Sequence, residues 1–538
     1  MTTTGHSNAN VALSRFLLPS VRDLIFVCLF ASLLAGTLSS RPLADPDIGW
    51  HIRTGERILT THALPRIDTY SSLMQGQPWF AWEWLYDVAL GILHRFCGLN
   101  GVIWLCALLV ATTVTVLLAE LLKLGTGLLL SIALTLAAEC TAVIHLMARP
   151  HIASWLFTLL WFIVLNRWER GERSRWLPGL FPLSFFPLSF FPLSMVLWVN
   201  VHAGWILGLA LLMIYAFTSA VDSWREPDAF AALRKAQQAR KMAWVCATSA
   251  LATLVNPYGW RLHAHIYRYL SDHYLIDRIS EFRSPNFHYW SPRCFAALVV
   301  LTMIAFASPG RRIRLSHFLI ALLAVYMGLF ATRNLPISSM LLVLITGPIL
   351  WEDFVSFSGS SGPWKWVRAG CAYIAGFSDR MAGEELQLRG HFWPALCVIA
   401  ALVLCLHGGK IGRWSLIAAH FDDKAVPVAA TDFLERERSA EPVFSTDSWG
   451  GYLIYRLYPR RQVVVDDRHD LYGPARVGEL LTLMDGKSGW EKKLDELRIN
   501  TIVVPGDSTL AGLLRLLPDQ WPRKYEDKVA VVFERRVP

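Results

Sequence analysis

The sequence predicts an α-helical polytopic membrane protein that carries a small extracytoplasmic α/β domain at its C-terminus. Three observations predict this class. Of 538 residues, 54% are hydrophobic and only 17% are charged, an apolar share above and a charged share well below those of soluble domains. About eleven apolar runs reach or approach the 17–25 residues that a helix needs to cross the hydrocarbon core. The Lys and Arg residues gather in alternate connections between those runs. Together these features exclude intrinsic disorder, a collagen-like chain and an ordinary soluble enzyme. Nine cysteines are scattered without a C-x-x-C pair, so neither a disulfide framework nor a zinc site is expected.

The candidate spans begin near Leu24, Val102, Leu128, Ile152, Trp176, Trp205, Met242, Phe295, Leu315, Ile337 and Phe392, those from Met242 and Phe295 being short. The first follows a polar head with Arg15 and Arg22 and lacks an A-x-A cleavage site, so it reads as a retained span. With the N-terminus inside, the cytoplasmic connections carry Lys123, then Arg167, Arg170, Arg173 and Arg175, then Arg225, Arg234, Lys235, Arg240 and Lys241. Arg311, Arg312 and Arg314 follow, and then Lys365, Arg368, Arg380 and Arg389. The short turns of the other face carry little beyond Arg149 and Arg333. An odd number of spans places the C-terminus outside. The expected organisation is a transmembrane domain over 1–407 with large extracytoplasmic loops at 41–100 and 256–293. A linker at 408–421 leads to a soluble domain at 422–538.

The first loop contains Trp79-Phe80-Ala81-Trp82-Glu83-Trp84-Leu85, a Trp-rich stretch suited to the membrane interface. In the tail, short apolar runs at Val443-Phe444, Val463 to Val465, Ile502 to Val504 and Val529 to Phe533 alternate with helical patterns such as Gly478 to Met484. Strands separated by helices are the expectation. From Leu180 to Ser194 the chain repeats F-F-P-L-S with Pro182, Pro187 and Pro192. Each proline removes a backbone donor, so this span is either a broken helix lining a cavity or a short duplication tolerated in lipid.

On this topology the polar clusters fall on one face, which predicts one extracytoplasmic site at the membrane boundary. Asp45 and Asp47, just after the first span, are carboxylates at i, i+2 that can bind a divalent cation, or one can act as general base. The plainer reading of D-P-D is a turn that stops the helix. His51 suits orienting an Asp or touching a phosphate, or is structural. Glu83 is a second carboxylate or a solvated polar face. Arg149, His151 and Arg333 form a candidate phosphate clamp, because guanidinium donors match phosphate oxygens; the alternative is snorkelling to head groups. Asn200, His202, Tyr258 and Asn334 complete the substrate-binding candidates, with Glu281, Arg283 and His288 nearby in the second large loop. Glu139 lies inside a span, where an ionisable residue is functional by default. His145, Arg149 or a polar residue of another helix is its expected partner, and structural pairing is the alternative. In the tail, Trp449 to Tyr452 and Asp466 to Gly473 read as structural or acceptor-positioning segments, since no HExxH, Walker loop, GxSxG or GxGxxG is present.

Asp45 to Gly55 (DPDIGWHIRTG), Pro65 to Ser71, Trp79 to Leu85, Trp198 to Gly204, Asn256 to Gly259, Arg333 to Pro336, and the Trp449 and Asp470 to Gly473 segments carry a resemblance over nearly the whole chain. They resemble prokaryotic multi-pass proteins related to the GT-C superfamily of polyprenyl-phosphate-sugar-dependent glycosyltransferases. That group is similar to the lipid-A aminoarabinose, protein-mannose and oligosaccharyl transferases. The resemblance implies a GT-C-like fold in the cytoplasmic membrane with an extracytoplasmic active face. It implies transfer of a sugar from a polyprenyl-phosphate donor to a lipid, glycan or protein, with inversion. The catalytic acidic residue of the first loop falls on Asp45, with Asp47 second. Arg149 or Arg333 would neutralise the lipid phosphate, and a divalent cation, Mg or Mn, on Asp47 is the one cofactor expected. Membrane lipids are partners and nucleic acid is not, because the Lys and Arg excess is accounted for by the cytoplasmic turns. Two other classes compete: a non-catalytic scaffold for envelope glycan assembly, and a lipid-linked sugar flippase. The flippase predicts polar residues spread along the spans and pseudo-symmetric halves, and neither is seen.

Overall fold

The first helix begins where Ser20 makes a capping box. Its hydroxyl accepts from the Asp23 N–H at 3.1 Å and its own N–H donates to the Asp23 carboxylate at 2.9 Å, satisfying two donors that a helix start otherwise leaves open. The structure, a computed structural model, describes residues 15–172, 189–361, 363–388, 390–437 and 441–536, and it is mostly helical. After α1 (Val21–Ala35) the first long loop folds as α2 (Ile48–Thr61) and α3 (Trp84–Cys97). The membrane part continues with α4 (Leu99–Lys123), α5 (Leu128–Ala142), α6 (His151–Glu169), α7 (Phe190–Val199), α8 (Trp205–Trp224) and α9 (Ala229–Ala252). Helices α10 (Trp260–Leu270) and α11 (His273–Ile276) form the second loop, followed by α12 (Trp290–Phe306), α13 (Leu315–Phe330), α14 (Leu335–Gly359), α15 (Lys365–Gln387) and α16 (Phe392–Leu406).

Helix is found at each of the eleven places where the sequence has a candidate span, although of the run from Trp176 only 189 onward is described. Most of the F-F-P-L-S repeat, with Arg173 and Arg175, lies outside the described residues. Among the described residues five helices are long and apolar enough to cross a membrane, and a sixth counts if α15 and α16, bent by 61°, act as one. One of the five, α8, and the shorter apolar helices α12 and α13 turn large apolar side chains outward, among them Met213, Phe217, Met303, Leu322 and Tyr326. A soluble surface does not carry such patches. This is a multi-pass membrane protein.

One segment differs from its expectation. The basic stretch from Lys365, expected as a connection, is a 23-residue helix, α15. Two of its acidic groups are partnered: Glu385 accepts from the Arg22 Nε at 2.8 Å and from the Val21 N–H, and Trp351 Nε1 donates to Asp379. Pairing across helices lets a segment with ordinary charge density pack against the bundle.

The stretch at 408–421 is a hairpin of β1 (Lys410–Ile411) and β2 (Trp414–Ser415) that sends Ile417 and Phe421 into the main core. Beyond it come α17 (Val428–Arg436), β3 (Val443–Ser445), α18 (Asp447–Leu457), α19 (His469–Met484), α20 (Trp490–Glu496), β4 (Thr501–Pro505), α21 (Thr509–Arg515), β5 (Arg523–Glu526) and β6 (Ala530–Glu534). The sheet is mixed, in the order β3-β4-β6-β5, with β3 parallel to β4 and the other pairs antiparallel. The expected strands at Val443, Ile502 and Val529 are present. Val463 to Val465 instead makes isolated bridges, one to Val443 and one to Ser71 of the first loop. Ser72 N–H donates to the Val463 carbonyl at 2.8 Å, so the first loop joins the edge of the C-terminal domain.

Two glycine crossings set the relative position of these parts. A Cβ on Gly49 of α2 would lie 2.3 Å from the Gly451 carbonyl of α18, and one on Gly55 would lie 1.8 Å from the Asp87 carbonyl of α3. Backbone meets backbone at both places, which only a residue without a side chain permits. Arg468 then locks the assembly. Its guanidinium pairs with Asp466 at 2.7 Å and Asp68 at 2.8 Å, with Trp79 and Tyr70 rings against it.

Candidate functional site

The α2–α3 crossing at Gly55 brings His51 to Asp87, Nδ1 to Oδ1 2.6 Å, both fully buried. Burial holds the imidazole well below its ordinary pKa, with Arg149 adding to the effect, and raises the Asp87 carboxyl well above its own, with Glu83 adding. Both shifts favour the neutral forms of the two groups. The other ring nitrogen, Nε2, faces Glu83 Oε2 at 3.8 Å.

His202 approaches Glu83 from the opposite side, Nε2 to Oε1 3.8 Å. The turn from α7 to α8 fixes this ring: Gly204 N–H donates to Nδ1 at 3.0 Å, and Ser154 Oγ, itself taking the Trp198 Nε1–H, lies 2.8 Å from the same nitrogen. With Nδ1 accepting, the proton sits on Nε2 and points at Glu83. Both gaps of 3.8 Å exceed a hydrogen bond. Burial raises Glu83 to about 8, against the pull of Arg149 and Arg333.

A second cluster stands beside the first. Nη1 of Arg149, on the turn between α5 and α6, lies 2.7 Å from Asp45 Oδ2, 3.4 Å from Asp47 Oδ2 and 3.1 Å from Glu281 Oε1. The D-P-D segment also makes the expected turn, since Asp45 Oδ1 accepts from the Asp47 N–H at 3.0 Å. Burial would raise Glu281, but Arg149 and Arg333 outweigh it and hold this carboxyl down to about 2.

Glu83, Arg149, His151, His202, Arg333 and Asn334 line one cavity of about 560 Å³. Its polar end also takes Asp467, Arg468 and Asp470 from the C-terminal domain, and its other end is made by Leu207 and Ala210 of α8 with Leu323, Met327 and Phe330 of α13. Burial, with the charge of Asp45, raises Asp467 to about 7, while Trp50 Nε1 donates to it at 3.2 Å. His265 of α10, 2.9 Å from Asp470 and stacked on Phe80 with ring centroids 4.4 Å apart, lines a neighbouring cavity that shares Phe80, Tyr269 and Asp470 with this one.

Two residues lining the first cavity, His151 and Asn334, and two further sequence candidates that do not line it, Asn200 and Tyr258, have structural partners. Asn200 accepts from Trp84 Nε1 at 2.7 Å and donates to the carbonyls of Val196 and Val255. Tyr258 OH accepts from the Ala81 N–H and donates to the Pro65 carbonyl. Asn334 Nδ2 donates to the Met327 carbonyl, and His151 Nε2 donates to that of His145. Glu139 is not brought to the site: its Oε1 is buried without a hydrogen-bond partner, while His145 faces the Thr332 carbonyl and Arg149 faces the carboxylates. Asp87, Asp467 and Asp470 complete the cavity; Asp467 and Asp470 belong to the segment read from the sequence as structural or acceptor-positioning, and Asp87 was not among the sequence candidates. Asp87 lies four residues after Glu83 on the same helix face, the one signal that pointed to it.

The residues around Asp47 do not fit a divalent ion as they stand. The point where their oxygens converge is filled by the Arg149 nitrogen, and among the described residues no group of three His, Cys, Asp or Glu is spaced to hold a metal.

No family model matches the chain, and no curated protein matches it. Solved structures do. The oligosaccharyltransferase of Archaeoglobus fulgidus in its apo form superposes with a TM-score of 0.52 at 10% identity, over 89% of this chain and 69% of that one. This chain shares its fold with that structure. The same archaeal enzyme, AglB, in complex with an inhibitory peptide and a dolichol-phosphate gives a TM-score of 0.50 at 10% identity, over 96% and 74%. ArnT from Cupriavidus metallidurans in the apo state gives 0.43 at 12% identity, over 95% and 97%.

Proposed function

We propose that the protein is a glycosyltransferase that moves a sugar from a polyprenyl-phosphate donor to an acceptor hydroxyl on the extracytoplasmic side of the cytoplasmic membrane. The observation that carries this reading is the two-ended cavity. Its apolar end, between α8 and α13, suits an isoprenoid chain. Its polar end offers Arg333, Arg149 and a line of carboxyl groups, which suits a phosphate and a sugar. The similar archaeal structure that holds a dolichol-phosphate supports the same donor class.

In this mechanism the donor phosphate lies against Arg333, whose guanidinium stacks 4.5 Å over the Phe282 ring and lies 3.9 Å from Glu281. The acceptor oxygen attacks the anomeric carbon from the face opposite the phosphate. The bond from that carbon to the phosphate oxygen breaks, its electron pair leaves with the polyprenyl phosphate, and the configuration inverts. Glu83 takes the acceptor's proton. The family resemblance puts the base on Asp45, but Asp45 is engaged with Arg149, whereas Glu83 stands in the cavity with a pKa of about 8, near the value that favours proton transfer at neutral pH. The C-terminal residues Asp467 and Asp470 position the acceptor. Closure by the first loop and the C-terminal domain excludes water, so that transfer outruns hydrolysis.

The test is transfer from a panel of polyprenyl-phosphate sugars by the protein in lipid nanodiscs. One donor is expected to be consumed, and Glu83→Gln is expected to retain donor binding while losing turnover. Binding of no donor by folded protein would sink the enzyme reading, and full turnover by Glu83→Gln with none by Asp45→Asn would return the base to Asp45.

A further inference from the structure

Three carboxylates from two separate loops converge on a single nitrogen. Asp45 and Asp47 come from the turn that follows α1, Glu281 comes from the second loop, and all three reach Nη1 of Arg149. That nitrogen carries two hydrogens, so three acceptors compete for two donors. Asp47 shows the surplus: Nη1 hydrogen-bonds Asp45 and Glu281, while Asp47 Oδ2 stands off at 3.4 Å, and its buried Oδ1 has no hydrogen-bond partner either, on a side chain 7% exposed. Three acidic groups are the ligand type of a hard divalent cation, though as spaced around the guanidinium they hold none. Here their centre is held at 2.7–3.4 Å by a guanidinium, whereas an ion would draw the oxygens in to about 2.0–2.6 Å.

We infer that Arg149 is a built-in cation, holding the place and part of the charge of a divalent ion among Asp45, Asp47 and Glu281, so that the native protein takes up no metal there and loss of the side chain opens a divalent-cation site. A guanidinium keeps its charge at every physiological pH, so this centre stays charged whatever the metal supply. It has one charge where the ion has two. Three carboxylates and one guanidinium leave a balance of minus two, which Arg333, 3.9 Å from Glu281 on the other side, brings to minus one, the balance a divalent ion alone would leave. The two arginines thus flank Glu281 as a fixed pair at the polar end of the cavity. That this pair faces a departing phosphate rests on the proposed sugar transfer. The occupancy of the carboxylate cluster does not.

The test is a Mn²⁺ titration of the full chain in phosphatidylcholine nanodiscs, read by the loss of the free-ion electron paramagnetic resonance signal and, in parallel, by Tm. Wild type is expected to bind no Mn²⁺ that depends on Asp47, and its Tm is expected to be unmoved by EDTA. Arg149→Ser is expected to bind about one Mn²⁺ per chain and to gain Tm with the ion, as binding to the folded state alone requires. Adding Asp47→Asn is expected to abolish both. Arg149→Lys, which restores a single fixed charge, is expected to bind none. Wild-type binding of Mn²⁺ that Asp47→Asn removes would overturn the inference, and so would folded Arg149→Ser that binds nothing. If Arg149→Ser folds only when expressed with Mn²⁺, the inference stands; if it fails to fold in either condition, the inference falls. None of these readouts needs a sugar donor, so failure of the transferase reading would leave the result intact.

Discussion

His51 and Asp87 meet across the crossing of two helices, Nδ1 to Oδ1 2.6 Å, at a place where Gly55 and Gly91 allow the backbones to touch. The dyad exists because the crossing is tight. A Cβ on Gly55 would sit 1.8 Å from the Asp87 carbonyl, and one on Gly91 would sit 2.6 Å from the Gly55 carbonyl carbon.

Gly55→Ala is therefore expected to force α2 and α3 apart. Overpacking of this kind costs about 1–3 kcal/mol, readable as a lower Tm. The separation also pulls His51 from Asp87, so turnover is expected to fall further than the stability loss explains. Unchanged Tm and unchanged turnover would show that the crossing is not tight.

Glu83 makes stability depend on pH in a stated direction. Its folded pKa of about 8 stands above the ordinary 4.5, so the folded chain holds a proton that the unfolded chain releases. The resulting stability is complete below about 4.5 and is lost as pH rises towards 8. Glu83→Gln is expected to remove that slope, raising Tm relative to wild type at pH 8 by about 2 °C or more and less at pH 5. Taking the difference between the two proteins cancels the histidines, which burial shifts the opposite way.

If Glu83 is the base, turnover follows its ionised form. Wild-type turnover at saturating donor is expected to rise with pH towards an inflection near 8. A rate that is flat from pH 6 to 9 would argue against Glu83 and for a base already ionised in that range.

Arg468 is buried with Asp466 and Asp68, 1% exposed, and ties the C-terminal domain to the first loop. Burial would raise Asp68, yet Arg468 outweighs it and keeps this carboxyl below its ordinary value. Arg468→Met strands two buried carboxylates, an error worth about 3–5 kcal/mol. The expected result is faster proteolysis within 422–538 and a lower Tm.

Arg333→Ala is expected to weaken donor binding by about 10–100-fold, the worth of one hydrogen-bonded charge of roughly 1.5–3 kcal/mol, with the fold retained because its side chain is partly exposed. Binding measured with and without the phosphate on the same isoprenoid chain separates this effect from lost packing.

How much of this was legible beforehand differs element by element. Apolar runs near Leu24, Val102, Leu128 and Trp205 announced helices because membrane burial writes itself as continuous hydrophobicity. Val443, Ile502 and Val529 announced strands for the same local reason. The residue types at the turns, Asp45, Asp47, Arg149 and Arg333, could be seen to fall on one face once the spans were placed. Their partners could not. That Arg149 belongs to Asp45 and Glu281, positions 104 and 132 residues away in sequence, depends on how loops from distant spans fold back on each other. Asp467 and Arg468 looked like members of a loop in a separate domain, and only docking against Trp50 and Asp68 makes them walls of the cavity. The charged α15 was hidden because its pairing with Arg22 spans 363 residues. The sequence by itself determined the membrane class, the helix positions and the chemistry available at the boundary, since each depends on the hydropathy and side-chain type of neighbouring residues. Tertiary structure alone decided which carboxyl stays protonated, which is held by an arginine and which stands in the cavity, because burial and charge at each atom come from segments far apart in the chain.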